Sequence, residues 1–277
     1  MGEIIVGMDG SAGAAAALRW AVRESNLRGW PVRAVHAGGA HDLAPEDQGV
    51  DAATQEAAEK ALAAAVDSAL GDDASEHIAV EVVDDRPATV LLERAIGAHL
   101  LVVGARGAGG FPHLHLGSVS TRVLHGPPCP VAVVRGDERR RTDGRIVVGV
   151  DGSAPAQRAL RWALVEAKLR ACAVEVLHVW QVPVAGGFYA VALDPALAEA
   201  DARRGLDAAL AAEDTSGVPL TGRTPCGGVA DHLLRAAENA DLVVVGSTGK
   251  GAVRRFLLGS VSQQVAHHAP CPVVVVP

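Results

Sequence analysis

The chain has 277 residues, a formal charge of −7 and four cysteines, with 49% hydrophobic residues but only 3% aromatics. The negative balance removes the basic footprint of duplex binding, no apolar run reaches the ~18 residues that span a bilayer, and the acidic Glu3 stands where a signal peptide would be basic. A soluble cytoplasmic protein with no nucleic-acid or membrane partner is expected, its cores built from Val, Leu, Ile and Ala in buried parallel strands under Ala-rich helices.

Residues 4–8 form an apolar run ending in Asp9-Gly10-Ser11, whose serine can cap a helix carrying Leu18, Ala21 and Val22 at helical spacing. A second strand is expected over 32–37, a loop with Gly and Pro over 38–48, an Ala-rich helix over 50–70 and a third strand over 77–83. Pro87 stands where the first turn of the next helix tolerates it. Residues 100–103 read as a fourth strand, followed by a glycine-rich loop, a short helix from Ser118 and a last strand over 131–134. The charged stretch 136–144 has nothing to bury and reads as a solvated linker. Beyond it the scheme repeats, with strands near 146–150, 174–179, 219–224, 242–245 and 273–276.

The repetition is residue by residue at an offset of 142. The run Ile4-Ile5-Val6-Gly7-Met8-Asp9-Gly10-Ser11 pairs with Ile146-Val147-Val148-Gly149-Val150-Asp151-Gly152-Ser153, and Leu18-Arg19-Trp20-Ala21 with Leu160-Arg161-Trp162-Ala163. His36 matches His178, and Pro128-Cys129-Pro130-Val131 matches Pro270-Cys271-Pro272-Val273. A period this long means duplicated globular domains and not a solenoid, here over 1–137 and 145–277 with a linker at 138–144. The four cysteines lack metal-ligand spacing and read as reduced structural thiols. Strict alternation of strand and helix gives an α/β fold class: two tandem doubly wound domains, each a parallel sheet with helices on both faces.

In such sheets ligands bind beyond the carboxyl ends of the strands where strand order reverses, which points to the loops after the first and fourth strands. Those loops hold Asp9-Gly10-Ser11 with Gly104-x2-Gly107-x9-Gly117-Ser118, and Asp151-Gly152-Ser153 with Gly246-x2-Gly249-x9-Gly259-Ser260. Gly104 and Gly107 bare the backbone to a ribose or phosphate and permit positive φ. Gly117, Ser118, Val119 and Ser120 open a helix whose N–H groups favour an anion, and the Ser118 and Ser120 hydroxyls can add bonds to phosphate oxygens. Gly246, Gly249, Gly259, Ser260, Val261 and Ser262 repeat that arrangement. A single such loop reads equally as turn punctuation, but both ends persist in two copies whose interiors have diverged. The pattern is neither a Walker A loop nor a Gly-x-Gly-x-x-Gly dinucleotide turn.

The second loop adds Lys250, Arg254 and Arg255, while the first offers Arg106 with Pro112, His113 and His115, so a triphosphate is expected to bind more tightly in the second half unless those cations form a solvated loop face. The histidine pairs 113/115 and 267/268 have no third ligand at suitable spacing, so no protein-held metal is expected, although Mg²⁺ can arrive with a triphosphate. Asp9 and Asp151 read as bases or as helix-start residues, with no partner group at a motif-defined distance. Trp20 and Trp162 fall on apolar helix faces and are expected in the cores.

Taken together, the Val-Gly-Met-Asp-Gly-Ser start, the His36-Ala37 and His178-Val179 strand ends, the two glycine loops and the Pro-Cys-Pro-Val strands resemble a tandem universal stress protein over nearly all of both halves. The resemblance implies a sheet of order 3-2-1-4-5 in each half, with ATP across the carboxyl ends of strands one and four. It implies that Asp9, Ala37, Gly104, Gly107, Gly117, Ser118 and Ser120, and Asp151, Val179, Gly246, Gly249, Gly259, Ser260 and Ser262, lie against that nucleotide. Ala37 stands where the family usually has valine, which weakens packing on adenine. The function implied is that of an ATP-binding stress-response regulator working through nucleotide-dependent conformation or contacts with a partner protein, and the alternative is a slow ATPase or phosphotransferase using the same sites. The last strands of the two halves would be sheet edges, fit for an internal pseudo-dimer or a homodimer.

Overall fold

In a computed structural model of the chain, residues 2–38, 52–71, 78–108, 115–135, 144–181, 194–249 and 258–277 are described. They fall into two compact units, Met1–Arg140 and Arg141–Pro277. The first contains β1 (Ile4–Met8), α1 (Ala12–Arg28), β2 (Val32–Ala37), α2 (Ala52–Leu70), β3 (Ile78–Val83), α3 (Pro87–Arg94), β4 (Leu100–Gly104), α4 (Ser118–Val123) and β5 (Val131–Val134). Its strands run parallel in the order β3-β2-β1-β4-β5. The second contains β6 (Arg145–Gly149), α5 (Ala154–Arg170), β7 (Ala173–Leu177), α6 (Pro195–Ala211), β8 (Leu220–Arg223), α7 (Val229–Ala237), β9 (Leu242–Gly246), α8 (Ser260–His268) and β10 (Val273–Val276). Its parallel order, β8-β7-β6-β9-β10, is the same 3-2-1-4-5 arrangement.

The central strands explain the apolar runs. β1 is flanked by β2 and β4 and covered by α1 on one face and α3 on the other, so Ile4, Ile5 and Val6 are fully buried. β6 sits likewise between β7 and β9, with α5 and α7 above and below it. β3 is an outer strand and partly exposed at Ala79 and Val80. The third strand begins at Ile78; His77, expected to open it, lies outside the described residues. The same is true of most of the loop 38–48 and of linker residues 138–143.

The helix starts repeat in detail. Ser11 Oγ accepts the Ala14 N–H at 3.1 Å and Ser153 Oγ that of Ala156 at 3.3 Å, each satisfying a donor that the helix itself leaves unpaired. The helix ends diverge. α1 stops at Gly29 in the left-handed region at φ 68°, while its counterpart Ala171 is forced to φ 51°. A Cβ in that region costs about 1–2 kcal/mol, and glycine gives back about 0.4–1 kcal/mol through the freer unfolded chain. Ala171→Gly is therefore expected to stabilise the second unit by about 0.5–1 kcal/mol, read as a rise in its thermal midpoint.

Two charged residues are fully buried within these helices. Glu24 and Glu166, both 0% exposed, pair with Arg28 and Arg170 one turn along. Nothing in the apolar spacing distinguishes them from a solvated i,i+4 pair. Trp20 is in the core as expected, but Trp162 is only half-buried, its side of α5 being less completely covered. All four cysteines are free; burial pushes the Cys129 thiol up to about 12, which keeps it protonated and inert.

Candidate functional site

β1 and β4 are paired neighbours, and α1 packs against both. Asp9 ties the loops that follow them together. Its Oδ1 accepts the Ser11 N–H at 3.0 Å and its Oδ2 the Ala108 N–H at 2.9 Å, linking the β1–α1 turn to the glycine loop. Ser11 adds a contact to Arg106 O at 3.5 Å, as Ser153 does to Thr248 O at 3.3 Å. Gly117 N–H then closes the loop on Ala105 O at 2.7 Å, and Gly259 N–H on Ser247 O at 2.7 Å. The aspartates thus fill the helix-start role; Asp151 Oδ1 accepts the Ser153 N–H at 2.9 Å.

In the second unit these loops bound a cavity of about 640 Å³. Asp151, Val179, Gly246, Gly249, Gly259, Ser260, Val261 and Ser262, the positions expected against the nucleotide in that half, all line it. Its lining is apolar at Val150, Val179, Val229, Leu233, Val245 and Leu258 and polar at Asp151, Thr248 and the start of α8. α8 begins at Gly259 with no side chain capping it, so the N–H groups of Ser260, Val261 and Ser262 are left for an outside acceptor.

The first unit brings the corresponding residues together through the same bonds: Asp9, Gly104, Gly107, Gly117 and Ser120 converge, and Ala37 ends β2 beside them. His36 Nδ1 lies 2.8 Å from Met8 O and holds the end of β2 to the end of β1. Ser118 and Val119 open α4, which has six residues where α8 has nine. In the second unit β7 ends at Leu177, two residues earlier than the sequence reading, so His178 and Val179 lie just past the strand.

Two expected roles change. None of Gly104, Gly107, Gly246 and Gly249 has a positive φ. Gly104 is glycine because a Cβ there would stand 2.6 Å from Gly13 C, and Gly246 because it would stand 2.7 Å from Pro155 C and Ala156 N: the helix start presses on the strand end. The hydroxyls of Ser120 and Ser262, expected to face phosphate oxygens, donate their protons to Gly104 O at 2.7 Å and Gly246 O at 2.6 Å. A hydroxyl has one proton, so Ser120 and Ser262 fasten helix to strand, and backbone N–H groups with the Ser118 and Ser260 hydroxyls are the donors left.

The whole pattern recurs in a known family. A family model described as the universal stress protein family matches residues 1–135 and again 144–277. The chain belongs to the universal stress protein family. It is 34% identical over 293 residues to a universal stress protein of Mycolicibacterium smegmatis, covering 99% of this chain and 96% of that one. Identity to a universal stress protein of Mycobacterium tuberculosis is 32% over 290 residues, covering 98% and 96%. A universal stress protein from Archaeoglobus fulgidus has the same fold, with a TM-score of 0.71 at 24% identity over 99% of this chain and 97% of that one.

In this universal stress protein the sequence reading missed the wall that α7 contributes. Val229 and Leu233 line the cavity one helical turn apart, and Leu91, the counterpart of Leu233, is buried where a Cβ on Gly7 would stand 2.9 Å from it. The signal available was their i,i+4 spacing on an amphipathic segment, which sequence alone assigns to the core. Lys250, Arg254 and Arg255, like Pro112 and His113, lie outside the described residues. No group of three or more His, Cys, Asp or Glu side chains suited to a metal occurs among the described residues, and no described helix is long and apolar enough to cross a membrane.

Proposed function

We propose that this universal stress protein binds ATP in the cavity of the second unit and in the corresponding corner of the first. It acts as a cytoplasmic stress-response regulator whose nucleotide-dependent conformation is read by a partner protein. The observation that carries the reading is the second-unit cavity, whose lining combines apolar Val179 and Leu233 with the uncapped first turn of α8. An adenine suits the apolar lining and phosphates the start of α8, since unpaired N–H groups and the helix dipole both favour negative charge. Asp151 supplies the carboxylate among the described residues that line the cavity and would share Mg²⁺ with the phosphates, the ion screening carboxylate from triphosphate. The longer α8 and the cations at 250, 254 and 255 favour the second site over the first.

Acid extraction of the purified chain is expected to release adenine nucleotide, and titration calorimetry with Mg-ATP to give saturable binding. Gly259→Ala adds a methyl whose nearest neighbour is Ser247 O at 3.3 Å, a contact the loop accommodates, but it crowds the start of α8. A loss of about tenfold in affinity is expected, equivalent to ~1.4 kcal/mol, larger than the loss from Gly117→Ala. A greater loss from Gly117→Ala would reverse the assigned ranking. Labelled ATP should be recovered intact after a single-turnover incubation; stoichiometric release of phosphate would favour the slow ATPase instead.

A further inference from the structure

On the α3 side of the first unit the charges balance. Arg33 lies 3.1 Å from Glu3 and 3.5 Å from Glu81, and Arg94 lies 2.7 Å from Glu81. At an offset of 142 these strand positions become Arg145 for Glu3, Glu175 for Arg33 and Arg223 for Glu81, so each sign is inverted. Strand register supports the equivalence: Arg33 pairs with Ile5 and Ala79 as Glu175 does with Val147 and Thr221.

The inverted cluster is no longer neutral. Glu175, 4% exposed, lies 2.8 Å from Arg145 and 3.0 Å from Arg223, but Ala236 replaces Arg94 and Arg235 replaces Glu93. Three arginines and one glutamate, with His232, line a cavity of about 300 Å³. Asp241 accepts the Arg145 backbone N–H at 2.8 Å and is not part of that lining. A second observation concerns the same pair: Arg145 Nε is buried with no hydrogen-bond partner, and Glu175 Oε2, although 2.8 Å from Arg145 Nη1, also lacks an aligned donor. The Arg145 guanidinium meets Glu175 through one nitrogen instead of the two-point fork, leaving a donor edge that an oxyanion can complete.

We propose that this cavity is a second anion site that takes a phosphate group. Among the lining residues the charges sum to two positive, which a phosphate dianion matches better than a single carboxylate; Asp231 and Glu238 border Arg235 outside that lining. The cavity is separate from the nucleotide cavity, which meets α7 through Val229 and Leu233, whereas this one meets it through His232 and Arg235. The inference therefore stands or falls independently of the nucleotide reading.

The test is a titration of inorganic phosphate into the ¹⁵N-labelled full chain at constant ionic strength, following arginine Nε–H and α7 amide signals. Saturable shifts of Arg145 Nε–H and of the amides of His232 and Arg235 are expected, with a midpoint on the order of millimolar. Arg235→Glu restores the charge of its counterpart Glu93 on an exposed side chain and should raise the midpoint at least about fivefold, with Arg235→Gln falling between. A parallel titration with phenyl phosphate separates a monoester ligand, which would bind more tightly, from free phosphate, which would not. Shifts linear in phosphate, shifts confined to residues 259–262, or an unchanged midpoint in Arg235→Glu would overturn the proposal.

Discussion

Glu24→Ala is expected to destabilise the first unit by about 3–5 kcal/mol, the cost of breaking a buried ion pair from one side. The carboxylate is fully buried, the Arg28 side chain is 6% exposed and the two meet at 3.1 Å. Arg28 also lies over the Trp30 ring at 4.7 Å, so it is fixed from two sides and cannot swing into water when Glu24 is removed. The cation–π contact is worth only about 0.5–2 kcal/mol and does not replace the lost partner. A solvated i,i+4 pair would lose about 0.3–0.5 kcal/mol, nearly tenfold less, so urea unfolding followed by Trp20 and Trp30 fluorescence distinguishes the cases. Replacing both residues with leucine should recover most of the loss, because the expense lies in the desolvated charge and not in missing attraction.

The second large effect is expected from Gly246→Ala. A methyl there would lie 2.7 Å from Ala156 N and Pro155 C and 3.0 Å from Pro155 Cβ, and the first two are backbone atoms with no rotamer to escape into. Relief requires α5 to move off the end of β9, at a cost of about 1–3 kcal/mol, typical of an overpacked interior. The same shift displaces Asp151 and the glycine loop, so nucleotide affinity should fall together with the thermal midpoint. Gly259→Ala should lower affinity while leaving the midpoint nearly unchanged. Calorimetry and thermal unfolding on the two variants thus separate a glycine kept for packing from one kept for access.

Much of this was legible in the sequence because it depends on neighbours along the chain. The apolar runs at 4–8 and 100–103, the serine after Asp-Gly and Pro87 at a helix start each carry their own local reason, and the duplication states each reason twice. What was not legible depends on distances between elements. Gly104 and Gly246 look like turn glycines until the approach of the helix start is known, and Ser120 and Ser262 look like phosphate donors until the strand-end carbonyl takes their proton. No pattern of residue types reveals that the helix faces carrying Glu24 and Glu166 are sealed. Leu233 reads as core, and its second role as a cavity wall follows only from where α7 meets β6. The inverted cluster of Arg145, Glu175 and Arg223 is visible in the sequence only after register shows which residues share a face.

The most direct test of the central claim is a crystal structure of the chain grown with millimolar Mg-ATP. It should show the base against Val179 and Leu233 and the phosphates against Gly249 and the first turn of α8. A second-unit cavity occupied by the chain's own side chains, or a nucleotide bound away from both glycine loops, would contradict it.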